Sequence, residues 1–586
     1  LEAFRGYRSA IIPARSIAIS CALFASAGWS AAATYHVNPA TGSMSHPGSA
    51  AQPWSTLEAV FAANRSFAPG DEILLHDGYH GAPVVKGSNA GTVSIRPSPG
   101  ARPRLKNLVV RTASRWDIAG LDIGPENESP GAVFGGTLVE IESSASKITF
   151  RDSQVRGGSG HESWSRSRWD DVGRGIRVAG TEVTVAGNLV EATSFALTVR
   201  RTGSFATIRD NLVRGFSHDG IQALADDCLF EGNTVTDAYI SDNSHNHDDF
   251  FQSWSVNSSS TPGEGTVSRV TVRGNLFISR TDPAQLLPSN PQGIGLFDGY
   301  YQDWRIENNI IASRTSHGIA IYGAIDCEVV NNTVVENPLD AAGGSTRPWI
   351  KIAPHKTRAQ ASSGNLVRNN ISARPVDAVA GSSVVDHHHT TTAYGSYFLD
   401  PAGFDFSLKA TSPARDAGNV ESAPTVDITG GARAAPYDLG AHEYRDAAAS
   451  GPTYTAWLLE NDLPADASGD GAKTANPSGD GVVNEMKFAL GLPVGSPGHG
   501  GRVTTGVIDA GGERYLSLTF TCPQPPPQGV VYEVKSGPAL GSWSAGDTVL
   551  VADIIAGGLR TRTYRDVVPI GSQPGSRFIL LEATAP

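Results

Sequence analysis

The chain has 586 residues, more than one hydrophobic core can organise, so several structural units are expected. Glycine (65) and proline (36) are abundant, methionine is nearly absent (2) and only 18% of residues are charged, which speaks for a turn-rich β protein and against a helical one. The formal net charge of −12 excludes wholesale nucleic-acid binding, and an anionic partner would need a local basic strip.

Residues 1–33 read as an export signal. Arg5, Arg8 and Arg15 form a basic start, Ser16 to Trp29 is mostly apolar but too short to span a bilayer, and Ala31, Ala32 and Ala33 offer small residues for cleavage. This implies a bacterial protein that is secreted or held at the cell surface or in the periplasm. No later segment is long and apolar enough to cross a membrane. Beyond the signal, Cys228, Cys327 and Cys522 are too scattered for a disulfide framework or a zinc site and read as buried thiols.

An Asn-centred turn recurs through the middle of the chain: Gly-Asn at Asn188, Asp-Asn at Asn211, Gly-Asn at Asn233 and Asn275, then Asn-Asn at Asn309, Asn332 and Asn370. The shortest spacings are 23, 22 and 23 residues, and the longer ones hold insertions. Short β-rich runs flank each turn, such as 270–273 and 304–307, and no long 3.6-residue periodicity is present. Self-similarity at this period predicts a stacked solenoid, a right-handed parallel β-helix over 34–445. Its opening would be a first strand near 34, a capping helix near 56–64 and a first coil at Gly70–Gly78, since an open solenoid end exposes core and strand edges. With Ser412-Pro-Ala-Arg-Asp-Ala-Gly418 and Tyr437-Asp-Leu-Gly-Ala-His-Glu-Tyr444 near its end, this stretch resembles the secreted parallel β-helix proteins of the pectate-lyase-like superfamily. The resemblance implies a carbohydrate-active protein, but the fold hosts many reactions.

Aligning the repeats against one another predicts an inward column of Ile176, Leu197, Ile221, Phe251, Ile294, Ile319 and Ile350. Because side chains alternate in a strand, the next residues face outward: Arg177, Thr198, Gln222, Gln252, Gly295, Ala320 and Lys351. Two positions further along come Ala179, Val199 followed by Arg200, Leu224, Trp254, Phe297, Tyr322 and Ala353. Two positions before the inward residue, at the turn, come Arg174, Phe195, Asp219, Asp249, Gln292, His317 and Pro348. One outer face would then carry Asp219, Asp248, Asp249, His317 and Lys351, with Trp254 and Tyr322 beside them.

Residues 446–500 form a linker segment. Within it, Asp466-Ala-Ser-Gly-Asp-Gly471 and Asn476-Pro-Ser-Gly-Asp-Gly481 place oxygen side chains at alternate positions with glycine at the sixth. Asn476, Ser478 and Asp480 are candidate Ca²⁺ ligands, although Lys487 stands where an EF-hand has glutamate. The loop resembles the short Asp-rich calcium loops of secreted bacterial linker modules. From 501 to 586, period-two runs such as Tyr515–Phe520 and Val530–Lys535 predict a small β-sandwich that binds carbohydrate, sorts the protein or spaces it from a surface.

Aromatics that stack on sugars, carboxylates and histidine that move protons, and Gln or Arg that hold hydroxyls and carboxylates make the predicted face suited to an anionic polysaccharide, handled by a monomer. Packing Asp219 beside Asp248 and Asp249 sets like charges one coil apart, a cost that a metal, a cation or a shared proton must offset. The leading expectation is β-elimination on a uronic-acid polymer. Lys351 or His317 would be the base and Arg177 or Arg200 the carboxylate clamp, while Asp219, Asp248 and Asp249 would be catalytic or hold Ca²⁺. Gln222, Gln252, Trp254, Tyr322 and His247 would contact substrate, and Arg166 and Arg168, between Trp164 and Trp169, would add a further clamp. A second reading rests on Ser217-His-Asp-Gly220, Asp248-Asp249, Ser316-His-Gly318 and Trp349-Ile-Lys-Ile352, which resemble the motifs of polygalacturonase hydrolases. That resemblance implies Asp219 and Asp249 as acid and base, with Lys351 on the substrate carboxylate. His218 and Trp349 depart from it, as does the 68-residue gap from Asp249 to His317. C5 epimerisation shares the first step of elimination, and a non-catalytic binding rod is the remaining alternative.

Overall fold

A computed structural model describes residues 32–585 except 241–247, 341–345, 358–360, 380–382, 446–450, 466, 511–512, 540–541, 545–546, 557–558 and 573–575. The export signal, but for its last two residues, lies outside the described residues, and so do His247, Asp466 and residues 446–450 of the linker.

Short strands separated by turns stack in parallel register into two sheets, of 22 and 12 strands. The larger sheet comprises two ladders joined at the start of the rod, where Leu108–Ala119 pairs with Thr137–Ile141 at one end and Ser146–Arg151 at the other. We call the ladder running from Thr137–Ile141 through Arg174–Val178 to Trp349–Ala353 the site ladder. Its inward residues Ile176, Leu197, Ile221, Phe251, Ile294, Ile319 and Ile350 are consecutive register partners, as expected from the sequence. All are buried, and they form one continuous core with the inward residues of the other ladders. The helix Leu57–Ala62, N-capped by Thr56 Oγ1 accepting from Ala59 N at 3.1 Å, closes the entry end with Leu57, Val60 and Phe61.

The repeated asparagines form a hydrogen-bonded ladder inside one row of turns. The side-chain oxygen of each accepts from the backbone N–H and side-chain amide of the preceding one: Asn188 to Asn211, then Asn233, Asn275, Asn309, Asn332 and Asn370, at 2.8–3.1 Å. The spare amide hydrogens go to backbone carbonyls, for example Asn275 Nδ2 to Phe230 O at 3.0 Å. Before each ladder residue stands one with positive φ: Gly187, Asp210, Gly232, Gly274, Asn308, Asn331 and Asn369, at 53–64°. Glycine, Asn and Asp tolerate that conformation best, which explains the dipeptides seen in the sequence. At one end Ser153 N donates to Asn188 Oδ1 at 3.0 Å; at the other Asn370 N donates to His388 Nδ1 at 3.3 Å.

The segment 412–444 lies along these turns, with Asn331 Nδ2 donating to Asp438 O, Asn369 Nδ2 to Asn419 O and Arg433 Nη2 to Asn308 Oδ1. Near the C-terminus an antiparallel four-stranded sheet, Val503–Ala510, Glu513–Pro523, Leu559–Pro569 and Thr548–Ala556, packs on a three-stranded one around Leu518, Phe520, Val534 and Leu581, the expected sandwich. Cys228, Cys327 and Cys522 are buried free thiols, the first two pushed up to about 12 by burial. Among the described residues no helix is long and apolar enough to cross a membrane.

Asn275→Ala removes the acceptor of Asn233 and strands two carbonyls, so it should destabilise the fold by about 3 kcal/mol in thermal or denaturant unfolding. His388 can accept from Asn370 only while neutral, and burial lowers its pKa to about 4. Its contribution is complete above the unfolded value and is lost as pH falls through the folded one. His388→Asn should therefore flatten the decline of Tm with acidification between about pH 6.5 and 4.

Candidate functional site

The outward column of the site ladder has the expected order. Glu140, Arg177, Thr198, Gln222, Gln252, Gly295, Ala320, Lys351 and Asp377 are successive register partners. Arg177 and Lys351 are six rungs apart, about 29 Å at about 4.8 Å per rung. Each is paired within the column: Arg177 Nε donates to Glu140 Oε1 at 2.9 Å, and the Lys351 ammonium contacts the Asp377 carboxylate.

Asp219, Asp249 and Gln292 are partners in adjacent strands, one edge of the same face. The sequence placed the two carboxylates on an exposed surface; the structure buries them, at 1% and 0% exposure. Two causes act. The strands begin at these aspartates, and that of Asp219 follows a bend at Ser217 and His218 that is covered by the 157–173 segment, with Ser217 Oγ donating to Trp169 O at 3.0 Å. On the other side Gly295 lets Asp249 settle against the sheet; a Cβ there would lie 2.6 Å from Asp249 Oδ1 and 2.5 Å from the Phe297 ring.

The same local device holds both carboxylates. Gln222 Nε2 donates to Asp219 Oδ2 at 2.8 Å, and Gln252 Nε2 to Asp249 Oδ2 at 3.0 Å, each glutamine three residues after its aspartate. Asp219 Oδ1 accepts from Asp249 N at 3.1 Å, locking one coil to the next. Gln222 also donates to Gln252 Oε1 and accepts from Thr198 Oγ1, both at 3.3 Å. Burial, and then the neighbouring Asp249 charge, push Asp219 well above the usual carboxylate range, so the pair favours carrying a proton. Asp248 is set apart, its carboxylate accepting from Ser289 Oγ.

His317 is one rung beyond Gln292 and half-buried. Its Nδ1 is 2.7 Å from Gln292 Oε1, so Nδ1 carries the proton and Nε2 the lone pair. Its ring lies 5.0 Å from that of Phe297 and 6.2 Å from that of Trp349. The register sets Trp349 beside His317 in place of the expected Pro348, because the ladder shifts between His317 and Ile319. Tyr322 packs on Phe297 at 5.4 Å, and Trp254 follows a bulge that pairs it with Asp298.

Cations flank the carboxyl pair on both sides. At one end Arg200 has its pKa lowered by burial and by the nearby Arg177, Arg174 and Arg201, and Arg174 lies 5.0 Å over the Phe195 ring. At the other, Lys351 and Arg374 lie over Trp349 at 5.0 and 3.9 Å, and Lys356 over Phe297 at 5.0 Å while contacting Asp298 at 3.1 Å. Gln292 stands in the aligned column, and nothing in its sequence context marks it as the partner of His317. Arg374 and Lys356 lie outside the strands, where repeat alignment has no register to read. Of the predicted clamp, Trp169 is fully buried and stacked on Tyr239 at 4.4 Å, and Arg168 lies over Trp164.

The calcium expectation meets two geometric facts. Among the described residues no group of three or more His, Cys, Asp or Glu is disposed to hold a metal ion, Asp219, Asp248 and Asp249 included. At the second candidate loop, the chain supplies its own cation. The Lys487 ammonium, 1% exposed, donates to Ser478 Oγ at 2.5 Å, Asp480 Oδ2 at 2.7 Å and Val494 O at 2.7 Å, and Ser478 Oγ donates to Asn476 Oδ1 at 3.1 Å. These oxygens fit the ammonium already bound better than an added metal.

Asp219 has a raised folded-state pKa, so the stability its neutral carboxyl provides is complete below the unfolded value near 3.9 and is lost as pH rises through the folded one. Asp219→Asn has no charge to bury. Its Tm relative to the parent should rise as pH increases above the unfolded value near 3.9 in calorimetry; a difference constant with pH would show that Asp219 does not titrate abnormally.

Residues 174–352 match the family model described as "Right handed beta helix region". No curated protein matches the sequence. Among solved structures the chain is similar to pectate lyase Pel9A, at 17% identity and a TM-score of 0.41 over 71% of this chain and 98% of that one. It is also similar to a rhamnogalacturonan lyase, at 14% identity and a TM-score of 0.34 over 63% and 91%. A third is a lacto-N-biosidase from Eubacterium ramulus, at 13% identity and a TM-score of 0.36 over 61% and 67%. The matched residues 174–352 contain the aspartate pair, His317 and the Gln222–Lys351 column, so the face described above is built on a right-handed parallel β-helix.

Proposed function

We propose that this chain is an extracellular polysaccharide-degrading enzyme that cleaves a uronic-acid polymer by β-elimination. One observation carries the reading: on a single face a buried carboxyl pair lies between two strips of cations, in a chain of net charge −12. Arg174, Arg177, Arg200, Arg201, Lys351, Lys356 and Arg374 outnumber the carboxylates of Glu140, Asp298 and Asp377 that pair with some of them. A polyanion needs such strips to approach an acidic protein.

Elimination requires the substrate carboxylate to be neutralised, the C5 proton removed and the leaving oxygen protonated. Lys351 and Arg374, over Trp349, receive the carboxylate. His317 Nε2, its tautomer set by Gln292, takes the C5 proton. The C5–H electron pair forms the C4–C5 double bond, the C4–O bond breaks, and Asp249 passes the proton held by the Asp219–Asp249 pair to the departing oxygen. Phe297 and Tyr322 offer faces for the sugar rings. An inverting hydrolase fits less well: such a pair needs its carboxyls about 6.5–9.5 Å apart to admit water, and the backbones of Asp219 and Asp249 stand on adjacent rungs, about 4.8 Å apart.

The test is a panel of polygalacturonate, alginate, glucuronan and neutral glycans, followed by ultraviolet absorbance and reducing ends together. Both should rise on a polyuronate, and a calcium chelator should leave the rate unchanged. Asp249→Asn and His317→Ala should each lower kcat by about 10²–10⁴-fold. Reducing ends without absorbance would mean hydrolysis, and altered C5 configuration without chain cleavage would mean epimerisation; either outcome sinks the elimination mechanism.

A further inference from the structure

The 12-stranded sheet carries its own outward column of alternating charge. Arg156, Glu191 and Arg214 are register partners, and Asp122 lies on the strand before them. Arg156 Nη2 donates to Asp122 Oδ2 at 2.9 Å and Arg214 Nε to Glu191 Oε1 at 2.9 Å. Such a ladder open to water would contribute little beyond joining coils. Here the chain leaves the sheet at Gly157 and folds back over it. Ser159 N donates to Glu126 Oε2 at 3.1 Å, and the His161 ring packs so closely on Gly215 that a Cβ there would meet it at 3.0 Å. Trp164, Trp169 and Tyr239 hold His161 from behind, with ring centroids at 6.2, 6.0 and 5.8 Å. What results is a cavity of about 300 Å³ over the charged column, walled by Gly158–Glu162.

The wall chemistry selects among ligands. Asp122, Glu126, Glu162 and Glu191 face only two guanidinium groups, Arg156 and Arg214, and burial lowers His161 so that its imidazole is neutral at pH 7. The wall is therefore net negative and disfavours the anionic polymer proposed for the other face. Apart from His161 it offers no aromatic or aliphatic platform, which disfavours an apolar ligand. It offers fixed acceptors and donors in alternation along one column, the pattern that adjacent sugar hydroxyls satisfy, each donating to a carboxylate and accepting from a guanidinium.

We infer that this cavity is a second binding site, for an uncharged sugar unit, separate from the face that bears Asp219 and Asp249. Such a site would hold neutral branches or a neighbouring neutral glycan while the anionic backbone is processed elsewhere on the rod.

Isothermal titration and ligand-observed NMR on the full chain test this with neutral oligosaccharides of galactose, rhamnose, arabinose, xylose and glucose, alongside uronates and simple amines. At least one neutral saccharide should bind. Glu191→Gln, which removes a charged acceptor, should weaken it about tenfold. Ser159→Tyr fills the rim from an exposed loop position without breaking the ion pairs and should abolish it. Asp249→Asn should bind the saccharide as the parent does, so the result stands whatever reaction the other face performs. Absence of binding by every neutral saccharide, preference for an amine or a uronate, or binding unaffected by both substitutions would overturn the inference.

Discussion

A buried side-chain amide that accepts from the coil before it and is itself received by the coil after it fixes the register of the rod from Ser153 to His388. A slip of one residue would turn the apolar inward faces outward and would also leave a buried Asn and a buried N–H without partners. With seven asparagines joined from Ser153 to His388, every strand that follows a turn starts at a defined position. The side-chain columns of the site ladder follow from that: Asp219 beside Asp249 beside Gln292, and Gln222 beside Gln252 beside Gly295.

The aspartate pair sits where the fold is least accommodating. Two carboxylates from adjacent coils, enclosed by the bend at Ser217 and by Phe297, oppose burial and repel each other. Three features offset the cost: a glutamine three residues downstream of each, the Asp249 backbone N–H, and a proton retained by Asp219. Elsewhere the chain neutralises such groups with fixed cations, as Lys487 does for Asp480. At the central pair Asp219 is instead raised by burial and by the neighbouring Asp249 charge, and groups so perturbed gather at functional sites.

The parts of this arrangement legible in the sequence are those governed by period. Gly-Asn, Asp-Asn and Asn-Asn mark both a ladder residue and the left-handed residue before it, and the inward and outward columns from Ile176 to Lys351 follow by counting. What counting misses is anything that happens off the strand. The depth of Asp219 depends on a segment some fifty residues upstream folding over Ser217. Arg374 and Lys356 reach the aromatic face from connecting segments. Trp349 displaces Pro348 beside His317 through one ladder irregularity. In the linker, the Asn476–Asp480 pattern is that of a cation loop, and only the three-dimensional path reveals that the cation is the ammonium of Lys487.

Because every rung of the asparagine ladder presents the same acceptor to one side and the same donors to the other, the rod is chemically indifferent to how many rungs it has. Only Ser153 and His388, which terminate the series, are distinct. A coil copied in frame would find compatible neighbours wherever it was inserted, and a loop could lengthen between rungs, as the spans of 42, 34 and 38 residues illustrate, without disturbing those above and below. Duplication and loop growth are thus open routes by which such a protein can lengthen or reshape its working face while its hydrogen-bonded spine stays the same.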